Sequence, residues 1–244
     1  MHSHGFVRVA ACTPAVAVGD PGFNAAQTLA LAKEGHARAC DLMLFPELGL
    51  SAYAIDDLFL QDALLRRVEA EIEGLAAASR DLAPVLIVGA PVEHRGALYN
   101  AAVVIARGRI LGVIPKSFLP NYREFYENRW FAPGAGIAGL TTRLAGQDVP
   151  FGTDLVFVAS DLADFSFAAE ICEDFWAPAP PSTQAALAGA LILCNLSASN
   201  IVVGKSDERE LLCASQSMRC MAAYLYSAAG PGESTTDLAW DGQA

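Results

Sequence analysis

A chain of 244 residues suits one large domain or at most two small ones. With 53% hydrophobic and only 18% charged residues it has ample material for a core, which argues against disorder. A net charge of −11, with sixteen scattered basic residues, argues against a nucleic-acid surface and disfavours an anionic membrane as partner.

Strand-like and helix-like segments alternate along the chain. The opening "MHSHGFVRVAACTP" lacks a charged region followed by an apolar one, so no secretory signal is read and a cytoplasmic setting is expected. Within it "FVRVAAC" is a short strand. "NAAQTLALAKEGHARAC" has helical spacing, with Asn24 as its expected N-cap. "LMLFPE" has a buried-strand pattern, and a second helix is predicted over about 56–79. "PVLIVGAPV" is an apolar strand. "ALYNAAVVIARGRILGVIPKS" reads as a hairpin turning near Arg107-Gly108-Arg109. Residues 121–149, rich in Gly, Pro and aromatics, form the longest irregular region, a length that is commonly functional. "DLVFVASD" and "DFSFAAEIC" follow as strands.

No charge occurs from Ala177 to Gly204, yet three prolines, two asparagines and several serines there argue against a membrane span. Loop, the helix "PPSTQAALAGA" and the strand "LILCNLSAS" are expected instead. "DERELLCASQSMRCMA" is a helix and "AYLYSAAG" a strand. Helices alternating with strands, together with a hairpin, predict an α/β layered fold and not a purely parallel sheet. The six cysteines at 12, 40, 172, 194, 213 and 220 contain no CxxC pair, which fits neither a zinc site nor a disulfide scaffold. All but Cys172 read as inert core thiols.

Three apolar strands end on an ionisable residue: "LMLFPE" on Glu47, "GVIPK" on Lys116 and "FAAEIC" on Cys172. Side chains at the carboxyl edge of α/β sheets converge on ligands. A carboxylate can take a thiol proton, and an ammonium can stabilise a thiolate and a developing oxyanion. Histidine offers no usual partner for the thiol. His2 and His4 lie in the terminus, His36 in a helix, and His94 in an expected loop beside Glu93 and Arg95. Taken singly, Cys172 reads as a buried thiol, Lys116 as a solvated loop lysine, and Glu47 equally well as a loop acid.

Together, "FPELGLSAY", "PKSFLPNYREFYENRWFAPG", "EICEDFW" and "GESTTDLAWDG" resemble the ordered blocks of the nitrilase, or carbon–nitrogen hydrolase, superfamily. More narrowly, they resemble the glutaminase domains of glutamine-dependent NAD synthetases. The likeness runs from Phe6 to Gly242, so residues 1–244 are expected to form one such domain. It implies a four-layer αββα sandwich and a triad of Glu47 as general base, Lys116 as oxyanion stabiliser and Cys172 as nucleophile. Glu127 falls where the superfamily carries a second glutamate, and the backbone N–H of Glu173 is a second oxyanion donor. Tyr53 and Tyr122 fall in blocks that border the glutamine pocket. Ser199 and Lys205 fall in the segment that holds the substrate's α-amino and α-carboxylate groups. Here the chain departs from the pattern, with Asn200 after the serine in place of proline and Lys205 in place of arginine. An ammonium lacks the bidentate fork of a guanidinium.

The resemblance further implies L-glutamine as substrate and no metal or cofactor for the hydrolysis. ATP and magnesium would serve only a synthetase domain, which would be supplied by a longer chain or in trans. It also implies a homo-oligomer. The sequence ends at "LAWDGQA" without a nucleotide-binding loop, where the family continues with a strand hairpin and the synthetase domain. A truncated domain with an unpaired sheet edge and a stand-alone relative are both consistent with that. Plainer readings remain beside these: Glu127 in an ion-paired surface turn, Tyr53 and Tyr122 as packing aromatics. Asp237 and Asp241 lack further ligands for a metal. The rival functions are an amidase for another small carboxamide and a catalytically idle scaffold.

Overall fold

The computed structural model describes residues 2–162, 164–235 and 238–244. Asp237 lies outside the described residues. Two sheets face each other. The larger begins with three parallel strands, β1 (Val9–Ala11), β2 (Leu42–Leu44) and β3 (Val85–His94). β4 (Ala97–Ala106) and β5 (Arg109–Pro115) add the expected hairpin, antiparallel throughout. Its edge is a second hairpin, β6 (Leu140–Leu144) and β7 (Gln147–Phe151), in the order β1-β2-β3-β4-β5-β7-β6. The smaller sheet has the order β11-β10-β9-β8, from β8 (Phe157–Val158), β9 (Ser166–Ile171), β10 (Ile192–Ser197) and β11 (Ala223–Ala228).

The two inner faces meet in an apolar layer, with Leu44, Ile87, Val104 and Ile114 opposite Phe167, Ile171, Cys194 and Leu196. Helices α1 (Pro21–Ala37) and α2 (Asp62–Ala78) cover the outer face of the larger sheet, where Ala32, Ile72 and Leu75 pack against Met43, Leu86 and Val103. α3 (Pro181–Leu187) and α4 (Lys205–Cys220) cover the smaller sheet over Ala168 and Leu193. Helix, sheet, sheet and helix make the αββα sandwich. The central strands of each sheet thus bury both faces, which explains why they read as continuous apolar runs instead of alternating ones.

Several expectations change in detail. α1 starts at Pro21 with Asp20 as N-cap, its side chain accepting from Phe23 N at 3.0 Å. Asn24 is instead buried one turn in, bonding the backbone of Ala17 and Leu50. The predicted second helix is split, with a 3-10 turn (Asp56–Leu60) before α2. His94 lies in β3, not a loop, stacked on Phe151 at 4.4 Å. The irregular region shrinks because 140–151 is a hairpin turning on Ala145 and Gly146, both at positive φ. "DLVFVASD" contributes only the two residues of β8. Cys213 and Cys220 are partly exposed on α4, while Cys12, Cys40 and Cys194 are buried as expected.

Candidate active site

β2 and β5 run parallel, each separated from the other by β3 and β4, so their carboxyl ends lie at one edge of the larger sheet. Past β2 the chain turns through Pro46-Glu47-Leu48, and Leu48 adopts φ 50°. Gly89 on β3 permits that turn, since a Cβ there would lie 2.3 Å from Leu48 N and 2.4 Å from the Pro46 carbonyl. Past β5, Lys116 N donates to Asn100 O at 2.8 Å, which extends the ladder by one residue. Gly134 closes over this point, its N–H donating to Lys116 O at 2.7 Å where a side chain would collide. β9 delivers Cys172 from the facing sheet.

The carboxylate and ammonium meet under complete burial. Lys116 Nζ donates to Glu47 Oε1 at 2.6 Å and to Glu127 Oε1 at 2.7 Å, and all three side chains are at most 1% exposed. Tyr53 OH donates to the same Glu127 oxygen at 2.7 Å. Glu47 is held further by Asn100 Nδ2 at 2.6 Å and, at Oε2, by the backbone N–H of Ala198 at 2.7 Å. Burial opposes the charge on Lys116, but Glu127 and Glu47 outweigh it and hold the ammonium well above the usual lysine range. Desolvation pushes Glu127 up to about 7 against the pull of Lys116.

Cys172 sits at the strand's end with φ 44°, a left-handed backbone that costs a non-glycine residue about 1 kcal/mol. Such a bend aims the side chain away from the strand direction. Burial raises its thiol to about 12, with Glu47 adding to the rise and Lys116 opposing it. Burial thus favours the protonated thiol, and any nucleophilic role for it would require a base in reach. Asp174 fixes the turn that follows: Oδ2 accepts from Ile171 N, and Oδ1 from Ser117 N and Phe118 N, at 2.8–3.0 Å. One carboxylate thereby staples the cysteine turn to the residues just after Lys116.

A cavity of about 370 Å³ opens onto Cys172, lined also by Tyr122, Glu124, Glu173, Trp176, Ser199 and Lys205. That volume lies in the range of small-molecule sites, about 300–1,000 Å³. Tyr122 OH donates to both oxygens of Glu173 at 3.1 Å, and desolvation with Glu173 nearby raises the phenol to about 12. Ser199 Oγ is buried without a partner among the described residues. Of the nine residues singled out in the sequence, Glu47, Lys116, Glu127 and Tyr53 form the buried cluster. Cys172, Glu173, Tyr122, Ser199 and Lys205 line the cavity. Glu127 is not in a surface turn, and Tyr53 does more than pack.

Sequence reasoning missed Asn100 and gave Asp174 no role. An asparagine inside the apolar run "LYNAAVVI" was the available signal for the first. It also missed Glu233, buried, whose Oε2 accepts from Tyr53 N at 2.6 Å while burial raises it to about 8. Among the described residues no group of three or more His, Cys, Asp or Glu could hold a metal ion, and no helix is long and apolar enough to cross a membrane.

Two stacked α/β layers with an acid, a lysine and a thiol at their shared edge define a class, and residues 8–230 match the carbon–nitrogen hydrolase family model. The chain belongs to the carbon–nitrogen hydrolase family. It is 58% identical over 242 residues to the glutamine-dependent NAD(+) synthetase of Mycobacterium tuberculosis, a match covering 99% of this chain and 36% of that one. The crystal structure of a glutamine-dependent NAD(+) synthetase from Cytophaga hutchinsonii superposes with a TM-score of 0.81 at 26% identity, over 91% of this chain and 36% of that one. An amidase from Nesterenkonia, in a form carrying an acrylamide adduct on its active-site cysteine, has the same fold at 17% identity and TM-score 0.70, over 91% of this chain and 78% of that one. The chain thus spans about a third of the length of the NAD synthetase relatives it matches. It is a carbon–nitrogen hydrolase domain homologous to their glutaminase part.

Proposed function

We propose that the domain hydrolyses the side-chain amide of L-glutamine through a Glu47–Lys116–Cys172 triad. The observation that carries this is the fully buried Glu47–Lys116–Glu127 cluster electrostatically coupled to a left-handed Cys172 that lines a ligand-sized cavity. Glu47 takes the thiol proton as Sγ attacks the amide carbon. The carbonyl π electrons move to oxygen, and that charge is met by Lys116 Nζ and the backbone N–H of Glu173. Collapse of the tetrahedral species breaks the C–N bond, and Glu47 returns its proton to the departing ammonia. Water, deprotonated by Glu47, then attacks the glutamyl thioester, releasing glutamate and restoring the thiol. Glu127 and Tyr53 hold Lys116 in place, so the ammonium stays charged and directed. Tyr122, Ser199 and Lys205 bind the amino-acid head group.

The ammonia serves ATP-dependent amidation of nicotinic acid adenine dinucleotide to NAD by a synthetase domain, in a longer chain or in trans. ATP and magnesium belong to that second reaction, and hydrolysis needs neither. We assign the activity to the cytoplasm and to a homo-oligomer. The test is ammonia release from L-glutamine beside simple aliphatic amides, with mass mapping of Cys172 after exposure to a glutamine-like electrophile. Turnover of glutamine and a label on Cys172 are expected. Preference for a plain amide would replace the substrate, and an unlabelled, idle protein would leave a scaffold.

A further inference from the structure

Lys205 opens α4 at the rim of the cavity, its Nζ 5.8 Å from the ring centroid of Phe125 and 5.6 Å from that of Trp176. Among the described residues its hydrogen bond goes to Asn200 Oδ1, at 2.5 Å. The other end of the same amide, Nδ2, donates to Glu124 Oε1. Chemistry fixes the orientation of that amide: an ammonium offers only hydrogens and a carboxylate only lone pairs, so the carbonyl faces Lys205 and the NH2 faces Glu124. Asn200 is buried, and the peptide that follows it is held at both its carbonyl and its N–H. Arg209 Nη2 donates to its carbonyl at 3.4 Å, and Ile201 N donates to Ala239 O at 2.8 Å. Arg209 is itself buried and forked onto Asp241 with two contacts of 2.9 Å. The amide is a fixed bracket.

A lysine and a glutamate brought this close without the bracket would pair directly and cancel. With one amide between them the charges stay apart, and the ammonium keeps two donors for whatever enters the cavity. Burial weakens the hold of Lys205 on its proton, and Glu124 and Glu173 are among the groups that counter this.

We propose that Asn200, anchored by Glu124, is a positioning residue that aims the Lys205 ammonium into the cavity as the anion subsite for an α-carboxylate. This rests on the glutaminase reading above. The bracket acts on the head group of the substrate and has no part in breaking the amide bond. Asn200→Asp places a carboxylate against both Lys205 and Glu124; the two acids then share one proton, and the remaining negative charge neutralises the ammonium and repels an anionic ligand. Ammonia release is measured with L-glutamine and with butyramide, which has the same amide and chain length but no charged head group.

Expected for Asn200→Asp is a rise of about tenfold or more in KM for glutamine, the scale of losing one charge-assisted hydrogen bond. The kcat for glutamine and the KM for butyramide should stay within about twofold. If that variant fails to fold, Glu124→Gln, altering a half-buried side chain, should give a smaller rise confined to glutamine. An equal loss for both substrates, or none for either, overturns the positioning role alone. A wild type that hydrolyses butyramide and ignores glutamine overturns the functional reading and this role with it.

Discussion

Two buried carboxylate clusters lie near the carboxyl end of β9, and they differ in kind. In the first, Glu47 and Glu127 share Lys116, and Cys172, whose thiol feels all three charges, opens onto the cavity. Under α3, Glu170 on β9 is equally buried. It accepts from Tyr224 OH and from Ser182 N at 2.8 Å, and Gln216 extends the network to Ser182 and Thr183. Desolvation raises both Glu127 and Glu170. Among the described residues the second cluster places no lysine against its acid and does not line the cavity at Cys172; it pins two helices to the smaller sheet. Burial of an acid therefore does not define a site. A compensating cation, a nucleophile and an opening do.

That contrast can be broken by substitution. Cys172→Ala should remove amide hydrolysis almost completely, by about 10⁶-fold in kcat, with an unchanged circular dichroism spectrum. Turnover above about one per cent of wild type would move the chemistry elsewhere. Lys116→Ala should cost about 10²- to 10³-fold in kcat if the ammonium meets the oxyanion, and near-normal rates would remove it from the mechanism. Glu170→Ala should do the reverse. Urea titration should show a loss of about 1–3 kcal/mol, since the Tyr224 hydroxyl and Ser182 N–H lose their acceptor, while kcat stays within a few-fold. A collapse of kcat at full stability would put Glu170 in the site.

A smaller effect concerns pH. Glu233 is raised to about 8 by burial, whereas its unfolded counterpart ionises near the ordinary glutamate value. The folded state therefore holds the proton more tightly. The stability this provides is complete below the unfolded value and is lost as pH rises through about 8. Glu233→Gln keeps an acceptor for Tyr53 N and cannot ionise, so its Tm should fall less than that of the wild type between pH 5 and 8. Parallel curves would show that Glu233 does not titrate in this window.

The layered fold was legible in the sequence from local pattern, which also offered the three strand-end residues as candidates; only the ordered blocks of the resemblance marked them as a set. An apolar run stops, and a polar residue stands where it stops. Contacts set by long-range register were not legible. Asn100 reaches Glu47 only because β4 lies between β2 and β5, and Asp174 bridges to Ser117 across 57 positions of sequence. The 140–151 hairpin was hidden for another reason. "TTRLAGQDVP" is mostly polar and contains Pro150, which reads as loop; in the structure β7 pairs with β5 only at Phe151, so no ladder bond to β5 is asked of Pro150. Asn24 misled because its residue type suits a helix start, while its neighbour Asp20 took that place with Pro21 behind it.

The hydrogen bond from Ala198 N to Glu47 Oε2 joins the acid of one sheet to the backbone just past β10 of the other. Neither half of the sandwich can bring Glu47, Lys116 and Cys172 together alone. Under the proposed mechanism, a nascent or partly unravelled copy would be chemically silent, and ammonia would not be shed by a molecule still finding its shape.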